Sequence, residues 1–300
     1  MNVDSIIKKL ETKNPSLVLY GPKGVGKKYT ALQIVKATLC GNNPACGTCN
    51  ECKRIEHENH PDVIIIKPEA DEEKDKKGRE ISISQIREDV LDKMIFSSSE
   101  GKKRFVIIDQ AHRLNRSSGN ALLKSVEEPP KDTIFMLLTP NLYSMLPTIL
   151  SRCELISIPP LSNEKLAQIS KVPVDHKLIG YADGSVSALK FYLSIEEDTQ
   201  RLIDFMDAKD RSFSDISSIS SSLAESVKGA TKAEDMENAE YVFSFIIKHL
   251  LNKAQNEPER AKAIVPVIQE INTISKKLYT NTSISMVIEN MLLELVVRSI

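Results

Sequence analysis

Three hundred residues, 41% of them apolar, exceed what one hydrophobic core usually organises, since single cores rarely grow beyond about 250–300 residues, so more than one domain is expected. Forty Lys and Arg against 41 Asp and Glu leave a formal net charge of −1, which excludes nucleic-acid binding through bulk charge and confines any DNA contact to a local or shared surface. The opening MNVDSIIKKLETKNPS lacks the apolar core of a signal peptide, and no run approaches the ~20 apolar residues of a membrane span, so a cytoplasmic protein without membrane contact is expected.

In chain order, SLVLY (Ser16 to Tyr20) reads as a short apolar strand feeding a glycine-rich turn, GPKGVGKK, and then a helical period. Val63 to Ile66 is a second apolar strand, followed by KPEADEEKDKKGRE, whose charges of both signs predict an exposed loop or hairpin tip. ISISQIREDVLDKM predicts a helix with Ile83, Ile86, Val90 and Met94 on one face. GKKRFVIIDQ centres on a buried strand ending in Asp109, NRSSGNALLKSVEE is a helix stopped by Pro129 and Pro130, and Ile134 to Leu138 and Leu155 to Ile158 are further strands. Strands alternating with helices predict a parallel sheet covered on both faces.

Beyond Pro159 and Pro160 only helical periods follow, with a turn at Gly184 and long segments near Glu237 to Lys253, Glu257 to Tyr279 and Ser283 to Arg298. The serine-rich RSFSDISSISSSLAE resembles a linker in composition, yet Ile216, Ile219, Leu223 and Val227 recur at helical spacing and predict a weak surface helix.

A loop of the form G-x-x-x-x-G-K-[ST] surrounds phosphates with backbone N–H groups, neutralises them with its Lys and holds Mg²⁺ through its hydroxyl. Gly21, Gly24, Gly26 and Lys27 supply the loop, but Lys28 stands where the hydroxyl belongs and offers no metal ligand. An acidic pair should end the RFVIID strand; Asp109 is present, but Gln110 follows it, and a neutral amide cannot take a proton from water. The nucleotide-binding candidates are therefore Gly21, Gly24, Gly26, Lys27, Lys28 and Asp109, with bound ATP or ADP and a ligand-free helix N-terminus both open and turnover not expected.

Of five cysteines, Cys40, Cys46, Cys49 and Cys52 fall in a C-x5-C-x2-C-x2-C spacing, while Cys153 is distant. Four thiolates so spaced suit one tetrahedral Zn²⁺, with Gly47 and Thr48 forming the tight turn. The rival iron–sulfur run requires a cysteine followed by proline four residues on, where Glu56 stands instead. His57 and His60 are near enough to substitute, but four thiolates already complete the coordination, so the zinc is expected to be structural.

The succession of this P-loop, the cysteine knuckle, HPD, ISISQIR, VIID, NALLKSVEEPP and LPTILSRC resembles the bacterial clamp-loader family of AAA+ proteins. The resemblance covers residues 1 to about 160 closely, and the GS turn at Gly184 and the C-terminal NTSISMVIENMLLEL loosely. It implies an α/β fold: an AAA+ P-loop domain with a parallel sheet over residues 1–160 carrying a zinc module (40–52), a helical lid domain (161–205) and an all-α collar domain (206–300). It also implies DNA replication as the setting, in a hetero-pentamer with delta and gamma/tau subunits that loads a sliding clamp onto primed DNA as part of the DNA polymerase III holoenzyme. Arg152 in LPTILSRC then matches the arginine finger acting in trans on a neighbour's ATP, whereas by itself a lone Arg pairs with a surface carboxylate. Lys28, Gln110 and the arginine-free GSVSALKF point to a finger-donating subunit with little hydrolysis of its own. A gamma/tau-type motor, and a zinc-bearing AAA+ interaction module outside replication, are the alternatives.

Overall fold

A computed structural model of the chain describes residues 6–8, 10, 15–41, 45–68, 80–95, 103–208, 210–279 and 282–298. The charged segment expected as an exposed loop lies, for residues 69–79, outside the described residues. The chain divides into two units, Met1–Pro160 and Leu161–Ile300.

In the first unit five segments form strands: β1 (Leu17–Tyr20), β2 (Val63–Ile66), β3 (Arg104–Ile108), β4 (Thr133–Thr139) and β5 (Glu154–Ser157). They make one sheet in the order β2-β3-β4-β1-β5, every pairing parallel. The central β4, TIFMLLT, is buried at all its positions, as a parallel strand with helices on both faces must be. Side chains alternate faces along each strand. Leu17, Leu19, Phe105, Ile107, Ile134, Met136 and Leu138 therefore pack with Ala31, Ile34 and Val35 on one side. Val18, Val106, Ile108, Phe135 and Leu137 pack with Ile86, Val90, Leu122 and Val126 on the other.

The helices that supply those faces are α1 (Lys27–Leu39), α2 (Asn50–Glu56), α3 (Ile83–Gln85), α4 (Arg116–Glu127) and the one-turn α5 (Pro147–Leu150). The segment ISISQIREDVLDKM is helical but not uniformly α: from Ile86 to Leu91 it is π-wound, and Asp92 N–H reaches back five residues to the Arg87 carbonyl at 2.9 Å. Ile86 and Val90 are buried, while Ile83 and Met94 are half-buried. The extra residue per turn displaces the expected stripe at its ends. Helix α4 starts where Asn115 accepts from Ser118 N–H, an N-cap of the usual kind.

The second unit is helical throughout its described residues: α6 (Asn163–Ser170), α7 (Lys177–Ala182), α8 (Val186–Ser194), α9 (Glu196–Asp207), α10 (Phe213–Ser226), α11 (Lys232–Asn256), α12 (Pro258–Ser275) and α13 (Ile284–Val297). The serine-rich segment forms α10, opened by a capping box in which Ser212 and Asp215 bond reciprocally. It is more than a surface helix, because Ile216, Leu223 and Val227 are buried in the unit's core. Among the described residues no helix is long and apolar enough to cross a membrane.

Candidate functional site: a phosphate-type loop, a thiol cluster and an exposed arginine

The loop between β1 and α1 needs its glycines for different reasons. A Cβ on Gly21 would stand 2.0 Å from the Ile158 carbonyl oxygen, so only glycine fits against the chain leaving β5. Gly24 and Gly26 have φ of 76° and 91°, in the region where an L side chain is strained. Gly26 is the N-cap of α1, so the positive end of that helix faces the loop. Lys27 Nζ donates to the carbonyls of Gly21 and Pro22, both at 2.7 Å. Burial lowers its pKa to about 8, against the upward pull of Asp109 and with a further lowering from Lys23.

Lys28 is turned to a different partner. Its ammonium pairs with Glu58, whose other carboxylate oxygen accepts from Lys67 at 2.7 Å. Burial pushes the Glu58 carboxyl up, but the two lysines outweigh it and hold its pKa below the ordinary value. Glu58 sits just past α2 with φ 58°, so the end of the cysteine-bearing segment reaches the first turn of the phosphate-loop helix. Asp109 follows β3, donating its N–H to the Ile66 carbonyl at 2.8 Å and accepting from Gln110 N–H at 2.9 Å. Gln110 itself is exposed and left-handed. Thr139 spends its hydroxyl on the Asn141 carbonyl at 2.7 Å.

His112, two residues beyond Gln110, was not singled out by its motif. Its Nδ1 is buried without a partner among the described residues. Burial, then Arg113, Lys27 and Lys23, bring its pKa down to about 4.

The four cysteines converge. Their sulfur atoms lie within 4.8 Å of one another, with Cys40 at 3.6 Å from Cys46 and 3.8 Å from Cys49. Sulfurs at the corners of a tetrahedron around an ion ~2.3 Å away stand ~3.8 Å apart, so the cage has the size zinc takes. Cys40 is the C-cap of α1 and Cys49 the N-cap of α2. Gly47, at φ 71°, makes the turn between Cys46 and Cys49. Cys49 N–H donates to Cys46 Sγ at 3.3 Å and Cys52 N–H to Cys49 Sγ at 3.4 Å. The N–H groups of Cys49 and Thr48 bring the Cys46 thiol down to about 5, while burial pushes Cys52 up to about 12. His60 stays outside the cage: its Nε2 meets Glu51 at 2.5 Å and its Nδ1 accepts from Asp62 N–H at 3.1 Å.

Arg152 lies two residues beyond α5. Its Nε donates to Glu127 Oε2 at 2.6 Å and its Nη1 to the Thr148 carbonyl at 3.1 Å. The carboxylate partner that any surface arginine could take is thus Glu127, the last residue of α4. The neighbouring Cys153 is apart from the other thiols, and burial pushes its pKa up to about 12. The partnerships of Glu58 and Glu127, and the buried unpartnered ring of His112, have no signal in the sequence.

A β2-β3-β4-β1-β5 parallel sheet with a phosphate loop between its β1 and the following helix defines an AAA+ P-loop domain. The chain belongs to the bacterial DNA polymerase III clamp-loader family, since the family model described as "DNA polymerase III, delta subunit" matches residues 3–162. It is 36% identical over 143 residues to the DNA polymerase III subunit delta' of Bacillus subtilis, covering 47% of this chain and 41% of that one. It is 35% identical over 139 residues to subunit delta' of Pseudomonas aeruginosa, covering 45% and 40%. The chain thus matches about two fifths of the length of these relatives. A crystal structure of a DNA polymerase III gamma subunit-related protein from Thermotoga maritima shares the fold over 100% of both chains, with a TM-score of 0.56 at 16% identity.

Proposed function

We propose that the chain acts as a delta-prime-type subunit of a clamp loader, donating Arg152 to the ATP of a neighbouring subunit while hydrolysing little or none itself. The observation that carries this reading is the pairing of Lys28 with Glu58, a carboxylate that Lys67 shares. The residue at the hydroxyl position is an ammonium already paired with a carboxylate of the chain, and it provides no oxygen for Mg²⁺. Gln110 beside Asp109 leaves the second half of a hydrolytic site without a base. Gly21, Gly24, Gly26, Lys27, Lys28 and Asp109 then form a loop that holds ATP or ADP silently or stays empty.

Cys40, Cys46, Cys49 and Cys52 hold one structural Zn²⁺ through four thiolates; the ion fixes the end of α1 to the start of α2. Residues 161–205 serve as the lid and 206–300 as the collar through which the subunit joins delta and gamma/tau in a hetero-pentamer. The sliding clamp and primed DNA are met by that assembly in the cytoplasm.

The test is ATP hydrolysis by the purified chain and by a loader reconstituted with delta, gamma/tau, clamp and primed DNA. The isolated chain is expected to stay at background. Arg152→Ala should lower turnover at the site it serves by about 10³-fold or more. Robust turnover by the isolated chain sinks the reading and makes this a gamma/tau-type motor.

A further inference from the structure

Arg152 is held from behind. Nε is taken by Glu127 at 2.6 Å and Nη1 by the Thr148 carbonyl at 3.1 Å, with Ser151 Oγ at 3.4 Å. These contacts use two edges of the guanidinium: the Nε–H edge meets Glu127, and Nη1, on the Cδ side, meets Thr148 and Ser151. Both N–H groups of Nη2 have no partner among the described residues; one runs parallel to Nε–H on the edge that faces Glu127, and the other points out from the tip of the fork. A planar fork with fixed geometry transfers such an anchoring directly to the direction of its remaining donors.

The anchor is itself rigidly mounted. Glu127 ends α4, and the preceding Val126 is 1% exposed, with its carbonyl accepting from the buried Ser16 hydroxyl at 2.7 Å. On the other side, Arg152 N–H returns to the Ile149 carbonyl at 3.0 Å, and Ile149 is fully buried. Two elements packed on the same face of the sheet therefore set the distance between carboxylate and guanidinium.

We propose that Glu127 is the positioning residue of the arginine finger: it orients Arg152 through Nε so that Nη2 reaches the neighbouring subunit's phosphate. The inference rests on the finger reading given above. Glu127 does not act as a latch that ATP must break, because the contact leaves Nη2 unspent and a phosphate can be met without releasing the carboxylate. The side chains of Arg152 and Glu127 are 34% and 54% exposed, and pairs so exposed add little to folding. Removing Glu127 should therefore alter the finger's direction and leave the fold intact.

The experiment measures ATP turnover of the reconstituted loader with clamp and primed DNA, in a cycle of Glu127→Ala, Arg152→Ala and the double variant. Glu127→Ala should lower the Arg152-dependent part of kcat about 10-fold, the scale of a small misplacement, with KM for ATP within about twofold of wild type. The double variant should be no slower than Arg152→Ala alone, since the effect passes through Arg152. Glu127→Gln keeps an acceptor for Nε and should recover part of the loss. Faster turnover with Glu127→Ala would make the contact a latch and overturn the proposal, as would unchanged turnover or an equal loss in the Arg152→Ala background. If Arg152→Ala itself changes nothing, the finger reading fails first, which separates the two failures.

Discussion

His112 shows how one side chain beside the phosphate loop affects stability. Its folded pKa of about 4 lies below the ordinary value of 6.5, so between those pH values the unfolded chain binds a proton that the folded chain refuses. Stability therefore rises with pH across this window, is fully present above about 6.5, and is lost as pH falls toward 4. Urea unfolding of wild type and His112→Gln between pH 7 and pH 4.5 should show a shallower pH dependence in the variant. The difference should be under ~1.4 kcal/mol per pH unit, because the ring is only partly shielded from solvent. A site residue of this kind is poorly legible in sequence. Lys27, Lys28, Asp109 and the four cysteines can be named as candidates from sequence because phosphate loops and thiolate sites depend on short spacings. The Lys28–Glu58 pair spans 30 positions and Arg152–Glu127 spans 25, and no local spacing encodes such meetings.

Among the elements, β2 has the bounds its sequence gives it, Val63–Ile66, because four apolar residues stand between a turn and a charged run. Helix α10 was harder to read. Its serines lower the apparent hydrophobicity, while burial is decided by Ile216, Leu223 and Val227 at helical spacing. Leu223→Ala should cost about 2–5 kcal/mol, the usual toll of truncating a fully buried leucine. Ser221→Ala, on the exposed face, should stay within ~0.5 kcal/mol. Urea midpoints of the two variants check this directly; similar midpoints would mean the helix does not bury that face. The π-wound stretch from Ile86 to Leu91 carries no comparable sequence signature, because one extra residue in a turn barely disturbs the apolar pattern of Ile86 and Val90.

At the scale of the whole molecule the thiol cage is the feature most exposed to test. Metal analysis of the purified chain should find one zinc per chain, and Cys46→Ser with Cys49→Ser should abolish it and unfold the segment joining α1 to α2. Chelation should lower the melting temperature, because binding free energy at a structural site becomes folding free energy. Cys153 adds a consequence of its own. Its thiol, pushed up to about 12 by burial, is almost wholly protonated at neutral pH, and alkylating reagents attack thiolates. In the native fold it is therefore a silent background, and if the cage holds zinc as proposed, the count of rapidly alkylated cysteines should be near zero in the loaded chain and rise as the ion is withdrawn.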